Sequence, residues 1–235
     1  MNNSTILPLD VLLDDLANLK ANKRLVLIGV DGGGGSGKST LARALVAHLS
    51  QASLVHIDDL YRPSSSPERR PDHPWYGTVA GFFDWRRLQH QVVDPLRDGR
   101  EAAYERYDWH TDSLAETLTV PARGYVVIEG ISVTREELRE AYDLRVWVET
   151  PYEVRLARGI ERDGESARDM WEKEWMPADA EYAQATAPHK HAHLVLDGAA
   201  VLGDVTTEIA VTWADPQVLR LVHERAGGSS STYGA

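Results

Sequence analysis

Residues 32–40 read Gly-Gly-Gly-Gly-Ser-Gly-Lys-Ser-Thr, and these residue types in this order suit the gripping of a nucleotide's phosphates. Gly32 through Ser39 satisfies the spacing G-x-x-x-x-G-K-[ST]. Glycines (Gly32, Gly33, Gly34, Gly35, Gly37) let the backbone turn tightly and aim its N–H groups, with those of Ser36 and Thr40, at phosphate oxygens. In this pattern the lysine, Lys38, reaches the β- and γ-phosphates, and the hydroxyl of Ser39 ligates Mg²⁺. A helix starting near Lys38 adds the positive end of its dipole. A flexible glycine linker could share this composition, but an apolar strand-like run precedes the loop and a helix-like run follows it.

Acids placed at the ends of neighbouring strands would complete phosphoryl transfer, which needs a positioned nucleophile and neutralised charge. "HIDDLYR" places Asp58 and Asp59 after one apolar run, and "VIEG" places Glu129 at the end of another. The spacing predicts Asp58 as the base that accepts an acceptor hydroxyl's proton and Glu129 as the acid on the metal side. Asp59 is expected to cap a turn or face solvent.

The elements that must carry these groups can be read from hydrophobic pattern. Residues 24–30, 53–57, 124–130, 144–149 and 192–198 are short apolar runs of the kind buried on both faces of a parallel sheet. Helical patterns lie at 8–20, after the glycine loop, at 84–96 (cut short near Pro95), at 134–142 and at 150–163. Thr150 is expected as the cap of the last of these, with Pro151 at its first position. The alternation predicts an α/β fold of the P-loop NTPase type: a central, mostly parallel sheet with helices on both faces. Residues 61–81, rich in Pro, Ser and Gly, form a loop long enough to be functional or disordered. One domain over 1–225 and a disordered tail over 226–235 are expected.

Composition narrows the function further. The 235 residues carry a formal net charge of −11, which disfavours nucleic acid and anionic membrane as partners. There is no cysteine, which excludes disulfides and thiolate chemistry. No apolar run approaches the ~20 residues of a membrane span, and the first residues lack a basic leader. A cytoplasmic protein is expected, with homo-oligomerisation left open.

In their order, the remaining motifs resemble the uridine kinase family of P-loop small-molecule kinases, related to pantothenate kinase and phosphoribulokinase. The chain shows "DDLYRP" (58–63), "FFDWRRL" (82–88), "YDWH" (107–110), "IEG" (128–130) and "RLARGIERD" (155–163). The resemblance spans roughly residues 24–198. It implies transfer of the γ-phosphate of Mg·ATP to a hydroxyl of a small molecule, a nucleoside first, with a sugar, amino sugar or pantothenate-type acceptor as alternatives. It implies an acceptor-binding insertion over about 59–110, with Asp58, Tyr61, Arg62, Asp72, Phe83, Asp84, Tyr107 and His110 toward the acceptor. It also implies a helical lid over about 155–175 that supplies Arg158 and Arg162, with Arg155 and Arg168 as further lid arginines. Two departures stand out: Arg158 is followed by Gly159 where the family often has a second arginine, and Asp72-His73-Pro74 lies far ahead of Phe83-Asp84.

Three other features weigh less. His189, His191 and His193 alternate, as metal ligands on one strand face would, but a structural or surface role is favoured. Trp171 and Trp175 are expected to anchor the helix after the lid, and Trp75 is the tryptophan placed to stack on a ring. A P-loop switch protein is the rival class, but the chain lacks Asn-Lys-x-Asp after the loop and ends its second acidic strand in Glu-Gly.

Overall fold

The computed structural model describes residues 4–220. The strands are β1 (Thr5–Pro8), β2 (Leu25–Asp31), β3 (Ala52–His56), β4 (Ala102–Asp108), β5 (Ser113–Val120), β6 (Gly124–Glu129), β7 (Leu144–Glu149), β8 (Leu194–Asp197) and β9 (Glu208–Ala214). Seven of them form one sheet in the order β1-β9-β8-β7-β2-β6-β3. The run β8-β7-β2-β6-β3 is parallel, and β9 pairs antiparallel with both β8 and β1. β4 and β5 make a separate antiparallel hairpin.

The helices are α1 (Leu9–Lys20), α2 (Lys38–His48), α3 (residues 85–97), α4 (Tyr152–Asp163) and α5 (residues 168–186). Alternate residues of β2 feed two cores. Val26, Ile28 and Val30 pack with Leu12 and Leu16 of α1 and Leu41 and Leu45 of α2. Leu27 packs on the other face with Leu88, Val92 and Leu96 of α3 and Tyr104 of the hairpin. The sheet is thus covered on both faces, and its five predicted parallel strands lie where the apolar runs put them.

Four local expectations are corrected. Residues 134–142 form turns and only a short 3₁₀ segment, Arg139–Ala141, because Thr134 is pinned through its N–H and hydroxyl to the Asp31 carboxylate. α3 runs through Pro95 to Arg97; the π-helical stretch Leu88–Val93 just ahead of it widens the helix where a proline ring would otherwise crowd a carbonyl. Thr150 does not cap α4 but donates to the Ser36 carbonyl at 3.0 Å, and Pro151 takes the cap position. β1, β4, β5 and β9 go beyond the predicted strands. The tail predicted for 226–235 lies outside the described residues.

Candidate active site

The phosphate loop grows out of β2 and is fixed at its root by Asp31. This fully buried carboxylate accepts from the N–H groups of Gly32 (2.7 Å), Ser132 (2.9 Å) and Thr134 (2.9 Å), and from the hydroxyls of Thr134 (2.8 Å) and Tyr182 (2.7 Å). Five donors on one side chain hold the loop's entry against the turn that follows β6 and against α5. Sequence reasoning missed Asp31, although it directly precedes the glycines. Gly37 takes a left-handed φ of 101° and starts α2, turning Lys38 and Ser39 into a cleft of about 750 Å³. Lys38 Nζ donates back to the Gly33 carbonyl at 3.2 Å.

Two acids face this loop from adjacent strand ends. Glu129 closes β6, accepting from Ser39 Oγ at 3.0 Å on one oxygen and from His56 Nδ1 at 2.5 Å on the other. Burial works to raise the Glu129 carboxyl, but the hydrogen bond from His56, the charge of Lys38 and the bond from Ser39 outweigh it, and it is held low. His56 is correspondingly raised, first by its bond to Glu129. Asp58 lies two residues past β3, on the cleft floor, open to the cleft's water and walled by protein. That enclosure pushes its carboxyl up; Lys38 opposes the rise and Glu129 adds to it. Asp59 turns away and accepts from Tyr104 at 3.1 Å, fastening the hairpin to the end of β3.

Beyond Asp58 the cleft wall is aromatic. Residues 60–62 and 82–84 run antiparallel, with Arg62 N–H to the Phe82 carbonyl and Asp84 N–H to the Leu60 carbonyl, both 2.9 Å. This bridge sets Tyr61 edge-on to Phe83 at 5.3 Å. The hairpin adds Tyr107 at 5.4 Å and Trp109 at 4.6 Å from the Tyr61 ring. Tyr61, Phe82, Phe83, Trp109 and Trp175 all line the cleft, and Trp109 is 53% exposed.

α4 lies across the loop on the third side. Arg158 and Arg162 line the cleft, Arg158 Nη1 reaching the Gly35 carbonyl at 3.4 Å and Arg162 pairing with Asp163. Arg155 instead pairs with Asp179 of α5 at 2.9 Å. Gly159 explains the missing second arginine: a Cβ there would sit 2.5 Å from the buried Trp171 ring.

Sequence comparison agrees with this geometry. The model of the phosphoribulokinase / uridine kinase family matches residues 27–170, more than half of the chain. The chain belongs to that family. It is 30% identical over 190 residues to uridine-cytidine kinase B of Dictyostelium discoideum, covering 76% of this chain and 77% of that protein. It is 32% identical over 145 residues to a uridine kinase of Halobacterium salinarum, covering 58% of this chain and 61% of that protein. A solved structure described as a possible uridine kinase from Bacillus stearothermophilus superposes with a TM-score of 0.59 at 23% identity, over 79% of this chain and 99% of that one. That likeness shows the shared P-loop kinase fold. The protein is a small-molecule kinase of this family.

Not every residue that the resemblance pointed to stands at this kinase's cleft. Gly34 to Thr40, Asp58, Tyr61, Phe83, Glu129, Arg158 and Arg162 line it. Arg62 does not: it is buried, paired with Glu68 at 2.9 Å and Asp84 at 3.4 Å. Asp84 caps α3 by accepting from the Arg87 N–H at 3.1 Å. Asp72 is exposed in a turn, and His110 is exposed at the hairpin tip. Tyr107 stands behind Trp109 and donates to Asp112 at 2.7 Å. Arg168 pairs with Glu165 and Glu172 on the outside.

Trp75 sits under Arg86, 4.6 Å from its ring, so Trp109 and Trp175 take the place expected of it. His189 and His191 lie in or beside a 3₁₀ turn and His193 just ahead of β8, so the three share no strand face. Among the described residues no group of three His, Cys, Asp or Glu side chains could hold a metal ion, and none of the helices is long and apolar enough to cross a membrane.

Proposed function

We propose that this kinase moves the γ-phosphate of Mg·ATP to a hydroxyl of a nucleoside. The observation that carries the reading is the position of Asp58. It joins the phosphate loop on one side to a wall of aromatic rings on the other. A flat nucleobase fits such a wall by stacking, and its ribose hydroxyl then comes to the carboxylate. The relatives' names, uridine kinase and uridine-cytidine kinase, support the same acceptor class.

The roles follow from charge and reach. Asp58 accepts the proton of the attacking hydroxyl; its carboxyl, raised by burial, makes it a better base than an ordinary aspartate. Lys38, Arg158 and Arg162 place positive charge around the group in flight. Ser39 and Glu129 offer adjacent hard oxygen ligands, and a bonded Glu129 held ionised is the donor that Mg²⁺ favours. The ion, when bound, neutralises charge on the phosphates. Closure of α4 and Trp171 over the loop excludes water that would otherwise take the phosphoryl group.

The experiment is ADP release from Mg·ATP across a panel of nucleosides, sugars, amino sugars and pantothenate. Stimulation by nucleosides above the other classes is expected. Stimulation by a sugar or pantothenate alone would overturn the acceptor class, and fast ATP hydrolysis with no stimulation would overturn the transfer itself.

A further inference from the structure

Gly34 of the phosphate loop is gripped on both of its backbone polar groups by side chains from two different helices. Its N–H donates to Asp179 Oδ2 on α5 at 2.7 Å, and its carbonyl lies 3.5 Å from Arg155 Nη1 on α4. The same Nη1 donates to the same Asp179 oxygen at 2.9 Å, which closes a ring of three groups. Asp179 is 8% exposed and the Arg155 side chain 13%. A carboxylate this close to the loop would repel a triphosphate unless it were neutralised, and Arg155 supplies that charge from within the ring.

The glycines beside this ring have a second use. A Cβ on Gly33 would stand 2.0 Å from Arg155 Nη1, one on Gly35 2.5 Å from the Arg155 carbonyl, and one on Gly34 2.9 Å from Trp171. Gly34 and Gly35 therefore let the Trp171 ring of α5 and the backbone of α4 rest directly on the loop, and Gly33 leaves room for the end of the Arg155 side chain. Bending the loop does not by itself require all three: Gly33 and Gly34 are not among the residues with positive φ.

We propose that Arg155 and Asp179 are positioning residues that lock α4 and α5 to Gly34 and hold the phosphate loop in its binding shape. Arg155 is then not a phosphoryl-binding arginine, and Arg158 and Arg162 face the group in flight. The proposal rests on the reading of the loop as the ATP site and is independent of the acceptor.

Equilibrium binding of a fluorescent ATP analogue to the full chain, without acceptor, tests it. Arg155→Met and Asp179→Asn are each expected to weaken binding about tenfold, the size usual for coupled neighbours. The double variant should bind no worse than the weaker single, because the ring is broken once. Turnover at saturating ATP should stay within about threefold, as for groups that act on binding alone. Arg155→Lys should recover much of the binding, and amide exchange at Gly34 should quicken in Asp179→Asn.

A roughly 100-fold loss of turnover at saturating ATP in Arg155→Met, with Asp179→Asn unaffected, would make Arg155 a direct phosphoryl contact and overturn the proposal. Unchanged binding in every variant would overturn it as well. Should Arg155→Met not fold, Arg155→Lys and Asp179→Asn carry the same comparison. Failure of the unaltered chain to bind the analogue would overturn the ATP-site reading instead.

Discussion

The two ends of the cleft are built by different means. The proposed donor end is made largely of backbone: one run, residues 34–40, sits at a strand-to-helix turn, with Glu129 added from the neighbouring strand's end. The proposed acceptor end is made of side chains from four separate places: Tyr61 after β3, Phe82 and Phe83 before α3, Trp109 at the hairpin tip and Trp175 on α5. A backbone cradle needs particular residue types at fixed spacing, whereas an aromatic wall needs only that rings arrive from somewhere. The first constrains sequence tightly and the second constrains it loosely.

Asp58 stands where the two ends meet, so its loss should have the largest effect. Asp58→Asn is expected to lower kcat by about 10²–10⁴, the usual worth of a general base, while nucleotide affinity changes little. An equal loss of ATP binding would assign Asp58 to the donor end instead. The pH dependence carries the sign. Protonation removes the base, and the Asp58 carboxyl is raised from its ordinary value of 3.8, so activity should fall on acidification at a higher pH than a free aspartate would give. An acid limb at or below that ordinary value would contradict the enclosure seen around this carboxyl.

Trp109 tests the acceptor end by itself. It is the most exposed ring on that wall and rests on Tyr61 and Tyr107. Trp109→Ala should raise the acceptor's KM by roughly five- to tenfold, about 1 kcal/mol of stacking, and leave the KM for ATP unchanged. A change in both constants would show that the two ends are coupled through the hairpin, and the contrast between them would fail.

How much of this was legible in the sequence follows from the same contrast. The parallel strands showed because burial on both faces forces continuous apolar runs, as in Leu25–Asp31 and Gly124–Glu129. The hairpin was harder: Ala102 and Tyr104 face in while Ala103 and Glu105 face out, an alternation present in the sequence but weakened by polar residues. Asp58 and Glu129, which both line the cleft, could be singled out because they follow the ends of apolar runs, and strand ends are where such a sheet places its ligands. Arg62 and Asp84 were misplaced because the motif fixes their order along the chain but not which partner they face. In the structure they face each other at 3.4 Å. Asp31 and Asp179 carried no spacing signal, since their donors come from residues up to 151 positions away.

The smallest expected effect lies at the opposite end of the sheet from the cleft, where His193 precedes β8, and it serves as a control on both ends. Its Nδ1 accepts the Arg145 N–H at 3.3 Å. Burial first, then the charge of Arg145, lower its pKa to about 4, against the pull of Asp215 and Glu140. In the unfolded chain it takes up a proton near its ordinary value of 6.5. Below that pH the unfolded state binds more protons, so His193 should stabilise the fold fully above pH 6.5 and lose that contribution as pH falls toward 4. Because the ring is only partly buried, water screens the effect, and ~1 kcal/mol is a fair size for the loss. His193→Asn keeps an acceptor for the Arg145 N–H and cannot titrate. Denaturant midpoints at pH 5 and pH 8 should therefore differ less in the variant than in the parent chain, with the KM values of both substrates unmoved. An unchanged pH difference would show that His193 is protonated in the folded state. A shifted KM for either substrate would tie the far end of the sheet to the cleft.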